Sequence, residues 1–202
     1  MKGKKMERKT SRQIQAENTK QALLDTITEM LNEYTYDRIS IQEICRRSGV
    51  SVGTFYHYFE TKASIIVELY RDCDEYFQHE VLESCLKDEP VKAILHYADA
   101  MVSYAEDLGI DMMRNIYKAQ VDHGNEFFLS VGRGLPQGLK TLVDRAGENG
   151  AFIDGTDQAL LLSDLLTLIR GIVYNWCVAE GRFKMEDLTG RMVESYLKSY
   201  LK

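Results

Sequence analysis

The stretch Ser48-Gly-Val-Ser-Val-Gly-Thr-Phe-Tyr-His-Tyr-Phe-Glu-Thr-Lys-Ala-Ser-Ile65 decides the fold. Four aromatic residues, Phe55, Tyr56, Tyr58 and Phe59, fall within five positions, with Gly53 before them and Lys62 after. Just upstream, Ser40-Ile-Gln-Glu-Ile-Cys-Arg-Arg47 reads as a short amphipathic helix. Ser40 followed three residues later by Glu43 is a capping-box pattern. Ile41, Ile44 and Cys45 then face inward, and Gln42, Glu43, Arg46 and Arg47 face out. Gly49 suits a left-handed C-terminal cap, and Ser51 caps a second helix at once. Two short helices joined by a glycine-containing turn of three or four residues predict a helix-turn-helix.

On a helical wheel Val52, Phe55 and Phe59 share one arc, with Tyr56 at its edge, and are expected to anchor the second helix. Gly53, Thr54 and His57 point the other way, beside Ser51 and Tyr58. That outer face carries no large apolar residue and no acid. A helix fits the DNA major groove, where the first residues of the second helix of such a motif reach base edges. Thr54 suits a base edge or a thymine methyl, and His57 a phosphate or a base. Lys62 opens the next helix, where its charge and the free backbone amides attract a phosphate.

Working outward, the apolar pattern of residues 21–34 predicts a preceding helix, with Asn18 or Thr19 as a cap unless the helix begins earlier. Thr61 caps a long helix carrying Ile66, Leu69, Tyr70, Cys73 and Phe77 on one face. Further helices are expected at about 91–107, 110–122, 136–148, 157–180 and 185–201, and no strand pattern competes. The fold class is all-α, of about nine helices. A three-helix N-terminal unit (residues 1–62) precedes a larger helical body (residues 63–202). In "GRGLPQG", residues 132–138, the glycines read as a helix break.

Of the 202 residues 45% are hydrophobic and 28% charged, the balance of an ordinary globular chain. The net charge of −6 is uneven. Residues 1–62 hold 11 Lys/Arg against 8 Asp/Glu, while the remainder is strongly acidic, as expected of a nucleic-acid-facing end on an acidic body. The four cysteines are scattered and the four histidines lack ligand spacing, so no disulfide framework, metal or cofactor is expected. There is no nucleophile elbow, HExxH or P-loop, so no enzyme is expected. Charged and polar residues follow the N-terminus and interrupt the apolar stretch 159–179. No signal peptide or membrane span is therefore expected, and the protein reads as cytoplasmic.

The stretch SIQEICRRSGVSVGTFYHYFETKASI resembles the N-terminal domain of TetR-family transcriptional regulators. The matching positions are Ser40, Ile44-Cys45, Ser48-Gly49-Val50-Ser51, the run Gly53 to Phe59, and Lys62. Cys45 and Ser48 stand where the family has alanine, and Val52 where many relatives carry a polar or basic residue. The resemblance implies that Tyr56 and Lys62 bind phosphates of double-stranded DNA. It also implies that Ser40, Ser51, Val52 and Thr54 face the DNA, with Gln42 and His57 as further candidates. The basic tail (Lys2, Lys4, Lys5, Arg8, Lys9, Arg12) is open to two readings, a DNA contact or a solvated tail.

Beyond residue 70 the resemblance is one of architecture. It implies a homodimer through the last two helices, with Leu161, Leu165, Leu168, Ile172, Trp176, Leu188, Met192 and Tyr196 as interface candidates, and hence a palindromic operator. It implies a small-molecule effector among the middle helices. Tyr97, Met101, Tyr104, Met113, Tyr117 and Phe127 are the lining candidates, and Asp99 and Arg114 are polar groups that would orient it. A plain apolar core is the competing reading of the same residues. The function expected is a ligand-responsive regulator, a repressor more readily than an activator. The alternative is a coactivator of this fold that does not itself bind DNA.

Overall fold

The computed structural model describes residues 10–123 and 129–202. Among these residues it is helical throughout, and its one β-type contact is an isolated bridge between Phe152 and Leu201. Counting the run from Lys62 to Cys85 as one, there are nine α-helices among the described residues. The chain divides into two compact units, Met1–Glu68 and Leu69–Lys202, with the division falling inside a helix.

In the first unit α1 spans Ser11–Glu33 and begins ahead of the expected start. Thr10 caps it through a full capping box: its hydroxyl accepts from Gln13 N (3.3 Å) and its own N–H donates to Gln13 Oε1 (2.8 Å). Asn18 and Thr19 lie inside the helix, where Thr19 Oγ1 donates back to Gln15 O. Leu23, Leu24, Ile27 and Met30 bury one face of α1. A 3₁₀ turn, Tyr36–Arg38, follows α1, and Tyr36 is buried. Then come α2 (Ile41–Ser48), α3 (Val52–Tyr58) and α4 (Lys62–Tyr76). Ile44, Phe55, Phe59 and Ile65 complete this core.

In the second unit α4 runs without interruption through a π-helical turn, Phe77–Val81, into α5 (Leu82–Cys85). α6 (Pro90–Leu108), α7 (Ile110–His123), α8 (Gly134–Glu148), α9 (Gln158–Val178) and α10 (Met185–Lys198) follow. Pro90 occupies the first turn of α6, where its missing N–H costs nothing. The glycine-rich 132–138 segment is a helix start, with Gly134, Pro136 and Gly138 all inside α8. Asp157 caps α9 through Ala159 N and Leu160 N. The chain end is pinned beside the α8–α9 connection by Ile153 N donating to Tyr200 O and Lys202 N to Ala151 O. α9 is long and apolar enough to cross a membrane by length and composition, yet Leu161, Leu165, Leu166, Ile169, Ile172 and Trp176 are buried in this unit. All four cysteines are free and buried.

Candidate nucleic-acid interface

The interface begins with two caps. Ser40 Oγ accepts from Glu43 N at 3.2 Å and opens α2. Only this half of the expected capping box forms. The Glu43 carboxylate receives Arg46 (2.8 and 2.6 Å) and Arg47 (3.1 Å), and these two guanidinium groups hold its pKa down to about 2. Arg47 also reaches Glu33 at the end of α1, so neither arginine of α2 is a bare cation. α2 ends at Gly49 with φ +70°, and Val50 N donates back to Cys45 O (3.1 Å), closing a Schellman turn. Ser51 then caps α3, accepting from Thr54 N at 3.0 Å with its hydroxyl 2.8 Å from that of Thr54.

Those caps set which side chains of α3 face out. Phe55 and Phe59 are buried, tilted against each other with centroids 5.6 Å apart. Tyr56 is 53% exposed, its ring edge-on to Phe55, so it touches the core and still presents its hydroxyl outward. His57 is exposed and lies edge-on to Tyr58, while Ser40, Gln42, Ser51 and Gly53 are exposed and Thr54 is half-buried. Val52 departs from the expected anchoring arc. At the first position of a seven-residue helix it reaches past the core and is 41% exposed, on the side of the outward residues.

Lys62 is placed differently from the others. Its ammonium donates to the carbonyls of Tyr36 (2.8 Å) and Ile39 (2.9 Å) and lies 4.0 Å above the Tyr36 ring. Burial lowers its pKa, partly offset by Asp37.

Among the effector candidates of the second unit, Tyr97 and Tyr104 both meet Phe77 edge-on, at 5.4 and 5.5 Å. Tyr97 is fully buried and donates to Leu135 O (2.8 Å), joining α6 to α8 as a core side chain. Met113 is also buried, and Met101 is half-buried. Tyr104 also stacks on Tyr76 (5.7 Å). Tyr117 donates to Arg170 O (2.8 Å). Phe127 lies outside the described residues. Arg114 is spent on the carbonyl of Cys177 (3.2 and 2.8 Å), satisfying the end of α9.

Sequence reasoning missed Asp74, Arg133 and Tyr70. The Asp74 carboxylate takes both arms of Arg133 (2.8 and 3.0 Å) and Leu135 N (3.0 Å), thereby capping α8 from α4. The Arg133 guanidinium lies 4.9 Å from the Tyr70 ring centre. Tyr70, Tyr117 and Arg170 are within electrostatic range of one another, and burial pushes Tyr70 up to about 12. Partners this far apart in sequence leave no periodic signal.

Of the dimer candidates, Leu161, Leu165, Ile172 and Trp176 are buried within the chain's own second unit. Leu168, Leu188 and Tyr196 are half-buried and Met192 is exposed. The apolar side chains that α9 leaves open are Leu160, Tyr174 and Val178. A groove between α9 and α10 is lined by Leu168, Arg191, Met192, Ser195 and Tyr196, with Tyr196 donating to Asp164 (2.5 Å).

These features define an all-helical protein with an N-terminal helix-turn-helix unit. Residues 23–69 match the family of bacterial regulatory proteins, tetR family. The chain thus carries the N-terminal domain of that family. It is 18% identical over 176 residues to the fatty acid metabolism regulator protein of Bacillus subtilis (strain 168), covering 85% of this chain and 90% of the relative. The fold superposes on Thermus thermophilus FadR, a TetR-family repressor in complex with lauroyl-CoA, with a TM-score of 0.75 at 14% identity, covering 91% of this chain and 95% of that one. A TetR regulator of Haloarcula marismortui gives 0.67 at 19% identity, covering 92% of this chain and 100% of that one.

Proposed function

We propose that the protein is a cytoplasmic homodimeric repressor that binds a palindromic operator through α2 and α3 and leaves it when a small molecule binds the second unit. The observation that carries this reading is the outward face of α3. Ser51, Val52, Gly53, Tyr56 and His57 are all exposed at one short helix capped by Ser51, with Thr54 half-buried among them. Val52, Thr54 and His57 meet base edges, with Gly53 allowing close approach, while the hydroxyls of Tyr56, Ser40 and Ser51 and the amide of Gln42 serve phosphates and register.

For the dimer, the outer face of α9 with the α9–α10 groove replaces the inward leucines as the contact surface. Leu160, Leu168, Tyr174, Val178 and Met192 supply its apolar area. Two-fold symmetry of such a contact is what makes the operator palindromic.

For the effector, fatty acyl-CoA is the class to test first, because T. thermophilus FadR binds lauroyl-CoA and B. subtilis FadR stearoyl-CoA. The tyrosine-rich interior around Tyr70, Tyr104 and Tyr117 supports an amphipathic ligand. Effector release needs only that the ligand favour a dimer state with lower DNA affinity.

The test is an electrophoretic mobility shift with the DNA upstream of the protein's own gene, with and without lauroyl-CoA. A retarded band that lauroyl-CoA removes is the expected result, and Thr54→Ala should relax base preference across a set of operator variants. No band at low salt points to the coactivator reading. A band indifferent to acyl-CoA leaves the DNA function standing and removes the effector class.

A further inference from the structure

Direct readout in the major groove follows donor and acceptor patterns: arginine or lysine pairs with guanine, asparagine or glutamine with adenine, and a carboxylate with cytosine. From Val52 to Tyr58, α3 carries none of these side chains. What it offers instead is carbon. Val52 is 41% exposed and is the one exposed aliphatic residue between Ile41 and Tyr58. Its surroundings leave it uncovered. Apart from chain neighbours and the helix's own backbone, a Cβ at Gly53 would meet only Ser51 Oγ, at 3.7 Å. The hydroxyls on either side are partly spent on the helix cap. Ser51 Oγ accepts from Thr54 N at 3.0 Å and lies 2.8 Å from Thr54 Oγ1, so each hydroxyl commits one bond to the other. An isopropyl group cannot hydrogen-bond, and the apolar group that base edges present in the major groove is the C5 methyl of thymine.

We propose that Val52 determines specificity by packing its isopropyl group on the C5 methyl of a thymine in the major groove, so that α3 selects its site by an apolar contact and not by a bidentate hydrogen bond. This rests on the DNA-binding reading and names the base group that α3 recognises. Gly53, with no side chain of its own, lets the groove edge come close enough for methyl to touch methyl. Cytosine occupies the same edge but lacks the methyl, and 5-methylcytosine restores it at the same carbon. Because such a contact releases no counterion, it sets base preference without entering the salt dependence.

The experiment takes the shortest fragment of the gene's own upstream DNA that the full chain retards, and replaces each thymine in turn by deoxyuridine, which removes only the C5 methyl. At one thymine of the site, and at its mate where the site is symmetric, wild type is expected to lose affinity about five-fold, the scale of burying one or two methyl groups. At that position 5-methylcytosine should bind more tightly than cytosine. Val52→Ala should bind the unmodified fragment about five-fold more weakly and be indifferent to loss of that methyl. Its slope of log K against log salt should match wild type. The variant keeps its fold, because position 52 is exposed in the first turn of α3 and alanine is the stronger helix former. Wild type indifferent to every deoxyuridine overturns the proposal. So does a methyl effect that persists in Val52→Ala, and its disappearance in Thr54→Ala instead would hand the thymine to Thr54. These outcomes leave DNA binding standing, whereas wild type that retards no fragment at low salt sinks the functional reading and the proposal with it.

Discussion

Gly49 and Gly134 are required for opposite reasons, and the contrast separates the two units. Gly49 has φ +70° and nothing within 4 Å of where a Cβ would stand, so only backbone conformation demands glycine. At Gly134 a Cβ would stand 2.1 Å from the backbone oxygen of Asp74, so space alone demands it. The first unit is organised by partners three residues apart, Ser40 with Glu43 and Ser51 with Thr54. The second unit is organised at α4 and α8 by partners 59 and 61 residues apart, Arg133 and Leu135 with Asp74. Local rules shape the helix-turn-helix, while long-range closure shapes the α4–α8 contact of the second unit.

The contrast is broken most severely at Gly134. In Gly134→Ala the new methyl meets main chain that cannot swing aside, so the first turn of α8 must lift off α4. That movement loosens the Asp74–Arg133 pair, which is almost wholly buried. The expected cost is about 3 kcal/mol or more, a fall in Tm of roughly 10 °C. Urea unfolding checks the total. Hydrogen exchange checks the place: α8 amides should lose protection, while α2 and α3 amides exchange as before. A cost below about 1 kcal/mol would mean that α8 does not depend on this approach.

The same closure has a signature in alkali, through Cys73 on α4. Burial, with Asp74 next, pushes its thiol up to about 12 from an ordinary 9.0. Below pH 9 the thiol keeps its proton whether the chain is folded or not, and stability does not depend on it. Above pH 9 the unfolded chain releases the proton that the folded chain keeps. The stabilisation therefore declines by about 1.4 kcal/mol per pH unit until the folded thiol also ionises near pH 12. Tm measured from pH 8 to 11 should fall more steeply for wild type than for Cys73→Ala. Parallel curves would show that Cys73 is not sealed in.

What was legible in the sequence follows the same division. Ser40, Gly49 and Ser51 announce their caps because each acts on the backbone within a few residues, and α2 and α3 lie where those residues put them. The helical wheel put Val52 with the anchors, whereas it is exposed, because a wheel says nothing of how far a seven-residue helix extends past its core. The start of α1 was missed because residues 10–18 are almost wholly polar and offer no apolar period, although Thr10 and Gln13 form a complete capping box. On α9, apolar residues lie nearly all round, so spacing could not say which leucines face inward. Leu161 and Leu165 turned out buried, and Leu160 open. The Asp74–Arg133 clamp had no local sign at all.

The mildest test returns to Gly49 and isolates conformation from contact. Gly49→Ala adds a methyl that touches nothing, so its entire cost is that of holding an L-residue in the left-handed region, about 1–2 kcal/mol. Asparagine tolerates that region better, so Gly49→Asn should cost less than Gly49→Ala although its side chain is larger. Packing would order the two the other way. Chemical denaturation of both variants therefore reads the origin of the requirement from the order of two small numbers. If the asparagine variant is the less stable, a contact absent from the open surroundings of Gly49 governs the turn, and the local logic of the first unit fails where it is most exposed.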